Sequence, residues 1–242
     1  MNRLLSIIVA GLVLIAPRAS ADVVSTFDLG DEGWDVVDLG ELGSDPPLLL
    51  AREATYRSTG GVSGGYIEAE DDDGSWWFFS APEKFLGDLS GFFGGSISLA
   101  LSAIADDGID YPVAVLVGDG VALYAVGPPP GLAWTSYTIA LDPSAWRIDG
   151  YLDDVHPTTD QFRAVLANVT AMYIDGDWLT GPDRTGLDDV RLSAVPEPSS
   201  VVALALGMSG LAGCRLRRAR RRRPTRAGMP RNRRASRAGG ES

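Results

Sequence analysis

The stretch Ser96-Ile97-Ser98-Leu99-Ala100-Leu101 decides the fold class, because its large apolar residues stand at every second position. This period of two predicts a β-strand with one face turned to a core. Val113-Ala114-Val115-Leu116-Val117 and Tyr137-Thr138-Ile139-Ala140-Leu141 indicate further strands. Gly118-Asp119-Gly120 and Gly127-Pro128-Pro129-Pro130-Gly131 have the composition of turns. Many short strands with such punctuation predict an all-β chain, a single jelly-roll or β-sandwich domain.

One stretch of the sequence has helical periodicity instead of a period of two. Within residues 159–169, Phe162, Val165, Leu166 and Val169 follow one another at three- and four-residue spacing. We therefore expect a helix of one or two turns there.

The first residues have the pattern of a signal peptide. Arg3 precedes an apolar run at residues 4–16, and Ala19-Ser20-Ala21 supplies the small residues of a cleavage site before Asp22. The run is too short to cross a bilayer, which takes about 20 residues. We expect residues 1–21 to be a cleaved signal peptide.

The other end of the chain has three parts in a fixed order. Val195, Pro196, Glu197 and Pro198 form a proline-punctuated motif, which an apolar span at residues 201–214 and an arginine block at residues 215–223 follow. Arginines after an apolar span resist translocation and hold the span in the membrane. The arrangement resembles the PEP-CTERM sorting signal of Gram-negative bacteria. The resemblance implies a hydrophobic sorting helix, transient residence in the inner membrane, processing by an exosortase and delivery to the cell surface or extracellular space.

These boundaries define four segments: a signal peptide at 1–21, a body at 22–194, a sorting signal at 195–223 and a basic disordered tail at 224–242. The body has thirty acidic and seven basic residues, whereas residues 215–242 carry twelve arginines. A strongly acidic body disfavours nucleic acid as a partner, since phosphate binding needs clustered cations. Cys214, the one cysteine of the chain, lies in the sorting signal, so the body has no internal disulfide.

The body contains a longer signature. It runs Trp77-Phe78-Phe79-Ser80-Ala81-Pro82-Glu83-Lys84-Phe85-Leu86-Gly87-Asp88-Leu89-Ser90 and continues with Phe92-Phe93-Gly94-Gly95. Together with the ending Thr185-Gly186-Leu187-Asp188-Asp189-Val190 it resembles the laminin IV (laminin B) domain over roughly residues 30–192. The resemblance implies a β-sandwich of extracellular matrices without established catalytic residues. The cysteine-rich repeats that flank animal members are missing, so laminin-like polymerisation is not implied.

Catalytic chemistry has few candidates. His156 is the one histidine, so a Ser-His-Asp arrangement cannot be assembled from any other imidazole, and we expect His156 itself to have an ordinary exposed role. The same scarcity excludes a zinc site with several His or Cys ligands. A carboxylate pair needs no histidine, but the thirty acids show no spacing that marks one. Glu68-Ala69-Glu70-Asp71-Asp72-Asp73-Gly74 is open to three interpretations: a catalytic acid, a cation site or a solvated acidic loop.

Calcium is the chemistry that the acidic turns favour, because carboxylate and carbonyl oxygens are its ligands. Asp28, Asp31 and Glu32 lie near the start of the body, and Asp188 and Asp189 lie near its end. Jelly rolls bring first and last strands together, so we expect these residues to converge on a calcium ion. Strand alternation predicts that Asp188 faces inward with the apolar residues that follow it, Val190 and Leu192. The alternative is that Asp188 accepts backbone N–H bonds at a strand end.

Tryptophan side chains are the candidates for a sugar platform. Trp76 and Trp77 must point to opposite faces of a strand, which predicts one in the core and one exposed. We expect Trp34, Trp134, Trp146 and Trp178 to pack in the core. The function that these observations favour is non-catalytic adhesion or matrix structure. The alternatives are an exopolysaccharide-binding module and a carboxylate-based polysaccharide-cleaving enzyme.

Overall fold

The computed structural model describes residues 21–39, 49–71, 76–104, 106–108 and 110–195. Residues 1–20 of the predicted signal peptide, the sorting residues Pro196, Glu197 and Pro198, the apolar span and the basic tail lie outside this part. In the part that is described, no helix is both long and apolar enough to cross a membrane.

The described residues fold into two antiparallel sheets, as the alternating patterns predict. The smaller sheet has the order β10-β7-β13-β5-β4, with β1 also paired to β13, and the larger has the order β11-β9-β8-β12-β6-β2-β3. The strands are β1 Val23–Ser25, β2 Asp35–Leu39, β3 Leu49–Glu53, β4 Thr55–Arg57, β5 Tyr66–Asp71, β6 Trp77–Ser80, β7 Ser96–Ala103, β8 Pro112–Gly118, β9 Val121–Val126, β10 Thr135–Ala140, β11 Arg147–Ile148, β12 Val169–Asp175 and β13 Asp183–Ser193.

Strand β7 shows how the sequence sets the two faces of the smaller sheet. Ile97, Leu99 and Leu101 are buried in the core, whereas Ser98 and Ser102 point to the outer face. The strand pairs with β10 on one side and β13 on the other, which makes it central. Its alternation is the one predicted from the sequence.

The predicted helix is present as α1, Thr159–Ala167. Thr158 and Gln161 cap it reciprocally: the Thr158 hydroxyl accepts the Gln161 N–H, and the Gln161 side chain accepts the Thr158 N–H. Phe162, Val165 and Leu166 are buried, so the helix closes one margin of the core.

Tryptophans fill much of the space between the sheets. Trp34, Trp77, Trp146 and Trp178 are fully buried. The prediction for Trp134 is wrong, because its ring is only partly buried and its indole N–H donates to the Gly60 carbonyl at 2.9 Å.

A β-bulge in β13 changes where Asp188 points. Asp188 pairs with Ala100, but Arg191 pairs with Ser98, so β13 carries one extra residue between them. Asp189 takes a left-handed conformation with φ of 49°. The bulge puts Asp188 on the outer face, so the prediction that it faces inward with Val190 and Leu192 is wrong. Simple alternation fails here because an inserted residue reverses the faces of everything after it.

Candidate functional site

Aromatic side chains form a continuous surface on the outer face of the larger sheet, with four partly exposed rings and one, that of Phe78, that is fully buried. We call this surface the tyrosine face and define it by Trp76, Phe78, Tyr124, Tyr151 and Tyr173. Neighbouring ring centroids lie 6.2 Å (Tyr124–Tyr151), 5.3 Å (Tyr151–Trp76), 4.9 Å (Trp76–Phe78) and 6.0 Å (Phe78–Tyr173) apart. These separations are those of interacting rings, so the five side chains support one another.

Strand register explains the position of the rings. Val115 of β8 stands directly opposite Tyr124 of β9 and Tyr173 of β12, which puts all three side chains on one face. Tyr173 lies between Met172 and Ile174, whose side chains are fully buried on the other face. Alternation along β12 therefore turns the tyrosine outward.

The same alternation separates the two adjacent tryptophans. Trp77 is buried in the core, and Trp76 lies partly exposed on the tyrosine face. The predicted division of these two residues is confirmed. The indole N–H of Trp76 points at the Asp175 carboxyl, with Nε1 3.2 Å from Oδ2. Asp175 is fully buried, and burial raises its pKa well above the ordinary value.

The hydroxyl groups distinguish this face from the rest of the protein. The phenol oxygens of Tyr124, Tyr151 and Tyr173 have no hydrogen-bond partner among the described residues. The other four tyrosines of the chain each donate to a protein acceptor; they are Tyr56 (to Asp28 O), Tyr66 (to Glu68), Tyr111 (to Asp107) and Tyr137 (to Pro128 O). Burial raises the pKa of the three unpaired phenols, so they stay neutral and can both donate and accept.

These three tyrosines are not among the residues predicted from the sequence, where tryptophan alone was the candidate for a sugar platform. A usable signal was present for Tyr124 and Tyr173, which alternate with buried apolar residues in their strands. No comparable signal marks Tyr151, since it lies in the loop that follows β11.

Glu32, one of the predicted calcium ligands, already has cationic and backbone partners. Its Oε1 accepts the N–H groups of Thr26 (2.9 Å) and Phe27 (2.7 Å), and its Oε2 accepts Lys84 Nζ. Lys84 Nζ also donates to the Val24 carbonyl at 2.9 Å. The ammonium group thus binds a carboxylate and a carbonyl oxygen, the kind of oxygen pair that a divalent cation would take.

Asp28 and Asp188 flank a glycine-rich segment at residues 60–65. A side chain added at Gly64 would meet Asp28 Oδ1, and one added at Gly61 would meet Asp188 Oδ2. Asp188 Oδ2 accepts the Val62 N–H at 2.7 Å, and Oδ1 accepts the Asp189 N–H at 2.7 Å. These bonds are the ones that the alternative interpretation of Asp188 expects.

The two other calcium candidates lie apart from this arrangement. Asp31 is exposed and accepts the Gly33 N–H at 2.9 Å within its own turn, and Asp189 lies in the β-bulge. Across the described ranges, no three Asp, Glu, His or Cys side chains form a group that could hold a metal ion together. The five residues are thus not brought together as one oxygen cage.

Six of the acidic side chains in the described residues are withdrawn from solvent. Asp175, Asp177 and Asp183 are all buried, and burial raises the pKa of each, with Asp177 at about 7. Glu68 is also buried in β5 and binds Arg57, so it is not part of a solvated loop. His156 is half exposed, as predicted, and its Nδ1 lies 2.7 Å from the Trp146 carbonyl oxygen.

Comparison with known families identifies the chain. The family model for Laminin B (Domain IV) matches residues 78–206, more than half of the chain, so the protein belongs to this family. The match begins later than residue 30, where the sequence signature suggested a start. The model for the PEP-CTERM protein-sorting motif matches residues 194–223. This motif implies export across the inner membrane and processing by an exosortase.

Two solved structures are similar to this chain at low sequence identity. The L4b domain of human laminin alpha-2 superposes with a TM-score of 0.55 at 13% identity, covering 72% of this chain and 98% of that one. A family 11 carbohydrate-binding module of a Clostridium thermocellum cellulosomal cellulase gives a TM-score of 0.48 at 17% identity, covering 75% and 99%. The laminin domain supports the β-sandwich architecture. No curated protein is significantly similar in sequence.

Proposed function

We propose that this protein is an exported, non-catalytic matrix module that binds a neutral polysaccharide through the tyrosine face. The observation that carries the proposal is the set of three unpaired phenol hydroxyls on one continuous ring surface. These hydroxyls are not among the buried polar atoms that lack a partner, so they reach solvent and can exchange bound water for the hydroxyl groups of a ligand without breaking a hydrogen bond inside the protein.

A polysaccharide suits both properties of the surface. The C–H faces of sugar rings stack on aromatic rings, and sugar hydroxyls can donate to or accept from a phenol. Tyrosine and tryptophan also supply large, rigid contact areas at low entropic cost. The tyrosine face therefore offers stacking and hydrogen bonding without needing to rearrange.

The negative charge of the protein favours a neutral polysaccharide over an anionic one. The body carries thirty acidic against seven basic residues, so a polyanion would be repelled at long range. Salt screens the interactions between exposed charges beyond about 8 Å at physiological ionic strength. A neutral ligand has no charge to be screened, so it should bind almost equally well in low and moderate salt. An anionic polysaccharide would need calcium ions to bridge it to the acidic protein, and EDTA would abolish that binding.

Conversion of tyrosine to phenylalanine tests the proposal, because it removes the hydroxyls and keeps the rings. The secreted protein should bind the neutral fraction of the host exopolysaccharide in affinity electrophoresis. A variant with Tyr124, Tyr151 and Tyr173 all changed to Phe should bind at least about tenfold more weakly, since each lost hydrogen bond contributes about 0.5–1.5 kcal/mol.

Tyr56→Phe is the matched control, because the Tyr56 hydroxyl bonds to the Asp28 carbonyl near the other sheet. This variant should bind as the unmodified protein does. Equal binding by the triple variant would contradict the assignment of the site. Release of reducing sugar ends during binding would show that the protein is an enzyme instead.

A further inference from the structure

The outer face of the smaller sheet has a cleft of about 400 Å³, on the opposite side of the sandwich from the tyrosine face. Its volume lies in the range of small-molecule sites, about 300–1,000 Å³. Residues around it include Arg57, Tyr66, Glu68, Ser102, Arg184 and Gly186. None of them belongs to the tyrosine face.

Gly186 forms the floor of this cleft between two aromatic rings. A Cβ atom added there would lie 3.0 Å from a ring carbon of Trp134, 3.0 Å from the Ser102 hydroxyl and 3.2 Å from a ring carbon of Tyr66. Its φ lies outside the left-handed region, so the backbone does not require glycine. The missing side chain therefore lets the rings of Tyr66 and Trp134 pack edge to face against each other over this strand, with their centroids 5.3 Å apart.

A buried carboxylate fixes the polar wall of the cleft. Glu68 Oε1 accepts two bonds from Arg57, from Nε at 2.8 Å and from Nη2 at 2.6 Å. Its other oxygen accepts the Tyr66 hydroxyl at 2.9 Å. Glu68 is 7% exposed, so both partners are held in place from below before any ligand arrives. Such preorganisation lowers the entropic cost of binding.

Two guanidinium groups keep unused N–H donors at the same cleft. The Arg57 side chain is 52% exposed, and its Nη1 makes no hydrogen bond within the described residues. The Arg184 side chain is 50% exposed, and its one ion pair is long, with Nη1 3.5 Å from Glu70. Leu132, 80% exposed, adds an apolar rim.

We propose that this cleft is a second saccharide site, which binds a short stretch of a neutral polysaccharide. The ring of Tyr66, which Trp134 supports edge to face, supplies a stacking surface, and the free guanidinium N–H groups supply donors for sugar hydroxyls. Glu68 and Glu70 offset the charges of Arg57 and Arg184, so the cleft has no net charge that would favour an anion. With sites on opposite faces, one molecule bridges two polysaccharide chains; this bridging role rests on the proposed function, whereas the cleft itself does not.

Isothermal titration of the secreted protein tests this site. The probe is a neutral hexasaccharide fraction prepared by partial hydrolysis of the host exopolysaccharide. The unmodified protein should bind two hexasaccharides per chain. Gly186→Ala should bind one, because the methyl group displaces the Tyr66 and Trp134 rings from their places beside the cleft while the backbone conformation suits alanine. Arg184→Gln should weaken binding at this site about tenfold, as expected for loss of a charged hydrogen-bond donor.

Arg191→Gln is the matched control, since Arg191 is an exposed arginine of the same strand whose guanidinium bonds to Asp22 outside the cleft. It should keep both sites. Two sites in Gly186→Ala, or a single site unaffected by both Gly186→Ala and Arg184→Gln, would overturn the inference. A single site that Gly186→Ala abolishes and the triple Tyr→Phe variant retains would support the cleft and contradict the proposed function.

Discussion

The indole N–H of Trp77 donates to Asp183 Oδ1 at 3.0 Å in the interior of the sandwich. Asp183 Oδ2 accepts the Trp178 N–H at 2.9 Å, so this buried carboxyl is fully hydrogen-bonded. Asp177 nearby is 5% exposed, and its Oδ1 has no hydrogen-bond partner. Burial, with the charges of Asp183 and Asp71, raises the pKa of Asp177 to about 7.

We predict that the free energy of unfolding falls as the pH rises from about 4 to about 7. In this window the folded state holds a proton on Asp177 that the unfolded state, with a pKa of about 3.9, has released. Chemical denaturation at several pH values measures the slope. Asp177→Asn should reduce it, and the remaining slope should come from Asp175, Asp183 and Asp188, whose pKa values burial raises in the same direction, that of Asp188 to about 6.

Asp119→Asn is the control for this slope, because Asp119 is exposed in a turn. Its profile should follow that of the unmodified protein. A slope that Asp177→Asn leaves unchanged would show that Asp177 is ionised in the fold at neutral pH.

A second prediction concerns the tether between β13 and the segment at residues 60–65. Asp188→Ala should lower the free energy of unfolding by about 1–3 kcal/mol, since it leaves the N–H groups of Val62 and Asp189, which make partly buried hydrogen bonds, without their acceptor. Asp188→Asn keeps an acceptor oxygen and should cost less. Urea denaturation measures both, and equal stability of the alanine variant would contradict the tether.

The spacing of apolar residues along the sequence is sufficient to predict the regular elements of this fold. Ile97, Leu99 and Leu101 follow a period of two, and α1 follows the helical period, so elements with regular spacing were predictable. Asp188 was misplaced because the bulge depends on a left-handed residue, Asp189, which the pattern of apolar residues does not reveal. The pairing of Lys84 with Glu32 joins residues 52 positions apart and depends on the tertiary fold.

Calcium binding stays a prediction, with a smaller set of ligands. Because Lys84 neutralises Glu32, the ligands that we now expect are Asp28 and Asp188, which flank the glycine-rich segment, together with backbone carbonyl oxygens of that segment. If calcium binds only the folded state, stability rises by about 2.7 kcal/mol at a hundred times the dissociation constant. Melting curves in calcium and in EDTA measure the difference. Asp28→Asn should reduce it, and identical curves for the unmodified protein would exclude the site.

The last prediction is that the mature protein begins near Asp22 and ends near Pro196, Glu197 and Pro198. β1 begins at Val23 and β13 ends at Ser193, and the two strands pair with Val23 opposite Leu192. Cleavage at both places therefore leaves every described strand intact, and the arginine-rich tail is lost. Intact-mass measurement of secreted protein tests this, with Glu197→Ala as the variant that should retain the tail and stay with the cells. Secreted protein that still carries the arginine tail would contradict the prediction, whatever the binding activity of the body.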